Sequence, residues 1–171
     1  IFESSDSDSF DLDFVNGKLQ NIKIFNSKND GIDISGSIID IENISIVNSG
    51  DKAISIGERS KVNINNIFLD RAYIGIAVKD GSSLNLDNHD FSQINNSSTI
   101  QNTNYAITLY QKKQEYGPAN LTLGKPESKL NNLILENNLE NFLVEDHSVL
   151  NLGNMQYQNK KQNIFQMLYP L

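Results

Sequence analysis

A chain of 171 residues with 38% hydrophobic content is long enough for one domain with a sizeable core, and residues 1–171 read as a single domain. With 14 Lys and Arg against 21 Asp and Glu, the net charge is -7, which argues against a nucleic-acid partner, since phosphate binding needs clustered cations. The absence of cysteine removes a disulfide frame, thiol catalysis and a Cys-based zinc site, and no run of about 18 apolar residues is present to insert into a membrane.

The chain opens Ile1-Phe2-Glu3, with no leader pattern, and reads as a piece of a longer protein. The stretch Ser4-Ser5-Asp6-Ser7-Asp8-Ser9 alternates acids with serines. It lacks the loop glycine and terminal glutamate of an EF-hand, so it reads as a solvated entry segment, and no metal site is expected. Asp11-Leu12-Asp13-Phe14 is the first of a series of short strands. Its later copies are Gly31-Ile32-Asp33-Ile34, Ala53-Ile54-Ser55-Ile56, Gly75-Ile76-Ala77-Val78, Ala106-Ile107-Thr108-Leu109 and Phe142-Leu143-Val144. Alternation sends Ile, Val and Leu inward, and Asp33, Ser55, Ala77 and Thr108 outward. A small residue before each strand suits a tight turn. Polar turns follow: Ser35-Gly36-Ser37, Gly57-Glu58-Arg59-Ser60, Lys79-Asp80-Gly81-Ser82 and Glu145-Asp146-His147-Ser148.

A second landmark recurs after each turn. Asn21, Asn43, Asn66, Asn88, Asn132 and Asn154 are spaced 22, 23, 22, 44 and 22 residues apart, each inside a strand-like run such as Ile41-Glu42-Asn43-Ile44-Ser45-Ile46. A further asparagine follows five residues later at Asn26, Asn48 and Asn137. A constant period of this size marks stacked repeats. The expected fold is all-β: a single-stranded right-handed parallel β-helix, a solenoid of roughly seven coils of about 22 residues. The six landmark asparagines are expected in one buried, hydrogen-bonded ladder, amide on amide along the stack.

The period breaks once, between Asn88 and Asn132. Asn95-Asn96-Ser97-Ser98-Thr99-Ile100-Gln101-Asn102 reads as a polar loop, and Tyr110-Gln111-Lys112-Lys113-Gln114-Glu115-Tyr116-Gly117-Pro118 as a charged, aromatic insertion leading to Leu121-Thr122-Leu123. The closing run Ile164-Phe165-Gln166-Met167-Leu168-Tyr169-Pro170-Leu171 is apolar and suits a cap on the last coil.

Lys28-Asn29-Asp30-Gly31-Ile32-Asp33-Ile34, followed one coil later by Gly50-Asp51-Lys52-Ala53-Ile54-Ser55-Ile56, resembles the pectin-lyase-like superfamily of right-handed parallel β-helices. The look is closest to polygalacturonase-type glycosidases, which carry Asn-Thr-Asp-Gly and then an Asp-Asp pair. That resemblance implies Asp30 and Asp51 as a general acid and base across a sugar bond. The chain departs from that pattern where Lys52 replaces the second acid and Tyr73-Ile74-Gly75-Ile76 stands in place of Gly-His-Gly. No Arg-x-Lys clamp follows, and His89 and His147 lie in other registers. A nearer resemblance, carried by Asn29 to Ile34, Gly50 to Glu58, Gly75 to Ser82 and Tyr110 to Ala119, is to β-helix modules attached to bacterial proteins with a CotH-like kinase domain. It implies a module of the bacterial cell envelope or of a secreted protein.

The leading functional expectation is a noncatalytic module that binds a polysaccharide or cell-surface glycan. Its ligand row would gather Asp33, Lys52, Glu58, Lys79, Tyr110, Lys112, Lys113 and Tyr116, pairing cations with uronates and stacking tyrosine on sugar rings. One alternative is a polysaccharide hydrolase, lyase or epimerase using Asp30 and Asp51. Another is a structural spacer or assembly domain, with the outward charges forming weak surface pairs. No cofactor is expected.

Overall fold

The computed structural model describes residues 1–86, 98–123, 133–152 and 155–170. Nearly all regular structure is strand: β1 (Phe10–Asp13), β2 (Asn16–Ser27), β3 (Ile32–Ser35), β4 (Ile38–Gly57), β5 (Lys61–Lys79), β6 (Ser83–Leu86), β7 (Ser98–Gln101), β8 (Tyr105–Tyr110), β9 (Asn120–Leu123), β10 (Leu133–Glu136), β11 (Glu140–Glu145), β12 (Val149–Leu152), β13 (Met155–Gln156) and β14 (Lys160–Lys161). A 3-10 turn, Gln114–Tyr116, and a short helix α1, Ile164–Leu168, complete it. The strands form one 14-stranded sheet that is parallel except where β13 runs against β12.

The pairing sorts into three rows. The first joins β1, β3, the end of β4, the end of β5, β8 and β11, through Leu12↔Ile34, Ile34↔Ile56, Ile56↔Val78, Val78↔Leu109 and Leu109↔Val144. The second joins the starts of β2, β4 and β5 to β6, β9 and β12, through Leu19↔Ile41, Ile41↔Ile64, Ile64↔Leu86, Leu86↔Leu123 and Leu123↔Leu152. The third joins the middle of β2, β4 and β5 to β7 and β10, through Ile24↔Ile46, Ile46↔Leu69, Leu69↔Ile100 and Ile100↔Leu135. Inward residues of all three rows belong to one buried cluster, dominated by Ile. β-branched side chains suit such pleated, crowded surfaces.

The strands turn where single residues adopt the left-handed conformation. Asn21, Asn43 and Asn66 have φ of 54°, 55° and 55°, and a second bend column holds Asn26, Asn48, Arg71, Asn102 and Asn137 at φ between 54° and 66°. Asparagine tolerates this region better than other non-glycine residues. The recurring asparagine is therefore explained by backbone conformation. The expected burial is not found: Asn21 and Asn43 are exposed and Asn66 is half-buried. Their amides still meet along the stack, Asn66 Nδ2 donating to Asn43 Oδ1 at 2.5 Å and Asn48 Nδ2 to Asn26 Oδ1 at 2.8 Å. Asn88, Asn132 and Asn154 lie outside the described residues, as does His89.

The buried ladder is made of serine. Ser37, Ser60, Ser82 and Ser148 are at most 1% exposed. Ser37 Oγ accepts from Val15 N at 2.9 Å, Ser60 Oγ from Ser37 N at 3.0 Å, Ser82 Oγ from Ser60 N at 3.1 Å, and Ser148 Oγ from Ala119 N at 3.2 Å. Each hydroxyl satisfies a backbone N–H of the neighbouring layer at the corner between first and second rows. A small hydroxyl fits there, and a buried N–H without a partner would be costly.

Two further expectations change. The strand lying beyond Phe68 in the third row is Ser98–Gln101, 31 residues on, because Ile100 extends the core. The second half of the expected polar loop is thus a strand, and Asn95 to Ser97 lie outside the described residues. The small residues Gly31 and Gly75 are required by stacking, with no positive φ involved. A Cβ on Gly75 would stand 2.5 Å from the Ala106 carbonyl oxygen and one on Gly31 2.6 Å from that of Ala53.

Candidate functional site

The outward side of the first row was expected to be an open ligand surface. From Ala77 to Leu143 it is covered instead, while Asp11 and Asp13 at its start are exposed. The closing segment does not cap the last layer. It turns back, with β14 pairing β11, and lays α1 across the outer face. Ile164 and Leu168 are buried there against Ile74, Ala77, Tyr110 and Leu143, with Tyr73, Tyr105, Phe165 and Tyr169 around them. The cause is readable in the row itself: Ala77 and Leu143 point outward and are apolar, so burying them needs a second layer. Glu145 ties the cover down, one oxygen accepting from Ile164 N at 3.3 Å and the other from Gln111 N at 2.6 Å. Lys161 pairs with Glu140 at 3.1 Å.

A compact charged cluster sits under the far end of this cover. Asp30 and Lys52 face each other on adjacent layers, both buried. Lys52 Nζ lies 3.3 Å from Asp30 Oδ1 and 3.5 Å from Oδ2, and the Lys52 backbone N–H donates to Oδ1 at 3.0 Å. Nζ also donates to Asp51 Oδ2. The Tyr169 hydroxyl closes over Asp51, 2.8 Å from Oδ1 and 3.1 Å from Oδ2, and Lys52 Nζ is 5.5 Å from the Tyr169 ring centroid. The Tyr73 hydroxyl donates to the Leu168 carbonyl at 3.3 Å.

Burial sets the ionisation here. It pushes the Asp30 carboxyl up to about 6, with Lys52 pulling the other way. Burial also depresses Lys52, but the Asp30 and Asp51 carboxylates outweigh it and hold the ammonium above its ordinary value. Burial lowers Lys79, whose nearest acid, Asp33 Oδ1, is 4.0 Å away. Burial raises the phenols of Tyr110 and Tyr169, and the Asp51 charge adds to the rise at Tyr169. Asp33 Oδ1, Ser55 Oγ and Thr108 Oγ1 are buried without a hydrogen-bond partner on this face.

The other expected ligand residues separate from this cluster. Asp80 accepts the backbone N–H groups of Lys112 and Lys113 at 2.7 and 2.6 Å, which anchors the insertion. Lys113 Nζ turns to Glu58 Oε1, while the Tyr116 hydroxyl is 3.5 Å from Glu58 Oε2. The Arg59 guanidinium lies over the Tyr116 ring at 5.4 Å and Lys112 Nζ over Phe165 at 5.6 Å. So Lys113 is neutralised by Glu58 and Tyr110 is a core residue 1% exposed, stacked near Phe165. The expected continuous row of eight ligand groups separates into two clusters, Lys52 pairing with Asp30 and Asp51 in one and Lys113 with Glu58 in the other.

The second row remains open. Its outward column runs Lys18, Asp40, Asn63, Asn85, Thr122, Asn151 in paired register. Beside it lies Gln20, Glu42, Asn65. Lys18, Asp40, Glu42, Asn63, Asn65 and Asn85 line a trough of about 380 Å³ floored by Ile41 and Ile64. Lys18 Nζ meets Glu42 Oε2 at 2.7 Å, Gln20 Nε2 donates to the same oxygen at 2.6 Å, and Asn63 Nδ2 donates to Asp40 Oδ1 at 2.8 Å. Hydrogen bonds from Lys18 and Gln20 hold the Glu42 carboxyl below its ordinary value. Around the asparagine bend, a second trough of about 320 Å³ adds Lys23, Ser45 and the half-exposed ring of Phe68. Sequence reasoning passed over this face. Its signal was present as polar residues at one register, Asp40, Asn63 and Asn85, with no aromatic or basic cluster to draw attention to them.

Among the described residues no group of three His, Asp or Glu side chains is arranged to hold a metal ion, and no helix is long and apolar enough to cross a membrane. In comparisons with known proteins, no family model, no curated protein and no solved structure matches the chain.

Proposed function

We propose that the chain is a right-handed, single-stranded parallel β-helix serving as a noncatalytic carbohydrate- or cell-surface-binding module of a larger bacterial envelope or secreted protein. Its relation to the β-helix modules of CotH-like kinase-domain proteins is part of the same reading. The observation that carries it is the open second-row trough, whose amide and carboxylate groups recur once per layer at roughly the 4.8 Å strand spacing. A polymer with repeating hydroxyls meets the same donors and acceptors again at each layer. Asp40 and Glu42 make the trough suit a neutral glycan rather than an acidic one. The acid–base alternative is weaker because Asp30 and Asp51 both engage Lys52 and lie beneath Tyr169, which leaves no room for a sugar bond between them.

The test is a glycan array with the wild type and an Asn63→Ala/Asn65→Ala variant. The reading expects binding to neutral polysaccharide that falls about tenfold or more in the variant, as two hydrogen bonds are removed. Equal binding by both proteins contradicts the trough. Glycan cleavage by the wild type that disappears in Asp51→Asn would turn the reading to the enzyme.

A further inference from the structure

The buried lysine of the closed face is held against two carboxyl groups of the same cluster. Its Nζ lies 3.3 and 3.5 Å from the two oxygens of Asp30, which keeps the amine close to the carboxyl carbon that they share. Both side chains are buried, with 9% and 4% of their surfaces exposed. The Lys52 backbone N–H already points at Asp30 Oδ1, where negative charge would grow if the carbon became tetrahedral. A second carboxylate, Asp51, accepts from Nζ on its other side and is itself held by the Tyr169 hydroxyl. Tyr110 and the Tyr169 ring limit water around the cluster.

We propose that Lys52 Nζ and the Asp30 carboxyl condense to an intramolecular isopeptide amide, with Asp51 as the proton relay, so that two adjacent layers become covalently joined. The step balances as follows. The Lys52 ammonium gives a proton to the Asp51 carboxylate. The neutral amine then attacks Cγ of protonated Asp30. Asp51 passes its proton to the departing hydroxyl and takes one from the new C–N nitrogen. The C–O bond breaks, one water leaves, and an amide N–H remains. No oxidant, reductant or other reactant is needed. Burial favours the reactive acid form of Asp30, while the flanking carboxylates oppose loss of the Lys52 proton. That opposition makes the reaction slow and makes Asp51 necessary. Close juxtaposition supplies the driving force, since well-oriented intramolecular groups reach effective concentrations of about 10⁵–10⁸ M.

The experiment is intact-mass measurement and peptide mapping of the purified, folded chain after prolonged incubation. The expected result is a mass one water below the sequence value, with peptides containing Asp30 and Lys52 recovered joined and no tryptic cleavage after Lys52. Asp30→Asn should form the same link with loss of ammonia in place of water. Asp51→Asn, checked by circular dichroism for retained strand structure, should keep its full mass. The full sequence mass in the folded wild type overturns the proposal. A water loss that persists in Lys52→Arg also overturns it, because a succinimide at Asp30-Gly31 would then be its source. Formation of the link at an undiminished rate in folded Asp51→Asn overturns the relay.

Discussion

The outer faces of the first and second rows carry the same kinds of residue and meet opposite fates. Both present acids, lysines and small polar groups once per layer. The first face also presents Ala77, Leu143 and a set of tyrosines, and the closing segment folds over it. The second presents Asp40, Asn63 and Asn85 with the exposed Ile38 two residues before Asp40, and it stays open. The difference teaches that outward charge does not by itself make a binding surface. On the first face Lys52 is consumed by Asp30 and Asp51, and Lys113 by Glu58. On the second face donors and acceptors are only partly spent.

The contrast can be broken most forcefully at Lys52. Lys52→Ala leaves Asp30 buried without its cation and is expected to cost about 3–5 kcal/mol in urea unfolding, the usual cost of stranding one member of a buried pair. Glycan binding by the folded fraction should be unchanged. Leu168→Ala removes an apolar side chain that is 4% exposed between α1 and the first row. It should cost about 2–4 kcal/mol, again without loss of binding. A binding loss in either variant would join the two faces functionally.

A pH series sharpens the same point. Asp30 has a folded-state value raised from 3.8 to about 6. The native state therefore binds a proton between those values that the unfolded chain does not. Its contribution is full below about 3.8 and is lost as pH rises through about 6. In protein of full sequence mass, before any Lys52–Asp30 link has formed, the stability of the wild type relative to Asp30→Asn should accordingly rise as pH falls from 7 to 4. A difference that does not change over that range would mean that Asp30 is not desolvated.

The two polar columns at the corners make a smaller contrast. Ser60→Ala strands the Ser37 N–H and should cost about 1–3 kcal/mol. Asn43→Gly keeps the left-handed bend at an exposed site and should change stability by less than about 0.5 kcal/mol. Thermal melts of both variants decide the order, and an equal loss would restore the asparagines as the structural ladder.

Much of this was legible in the sequence for physical reasons. The repeat of about 22 residues survives because each layer must match the next in length, and the Ile, Val and Leu alternation survives because one side of each strand is buried. Asparagine marked the bends, since few other residues accept positive φ. The second row keeps the 22-residue step from Ile64 to Leu86, whereas the third row takes 31 residues to return from Phe68 to Thr99, a difference that the asparagine spacing did not show. Arg71 and Asn102 share a bend column with Asn26 and Asn48, and nothing in the type of Arg71 announces it. The serine ladder was hidden because serine in a turn carries the same signal whether its hydroxyl is buried or solvated. The cover over the first row was half-visible. Phe142-Leu143-Val144 is apolar at three successive positions, so one of them had to face outward and be buried by something else.

The most direct measurement is an amide chemical-shift titration of the isotopically labelled chain with a soluble neutral oligosaccharide. The account predicts perturbations centred on Lys18, Asp40, Glu42, Asn63, Asn65 and Asn85, with Asp30, Lys52 and Lys79 unmoved. Perturbations centred on Asp30, Lys52 and Lys79, or none with any glycan tried, would contradict it.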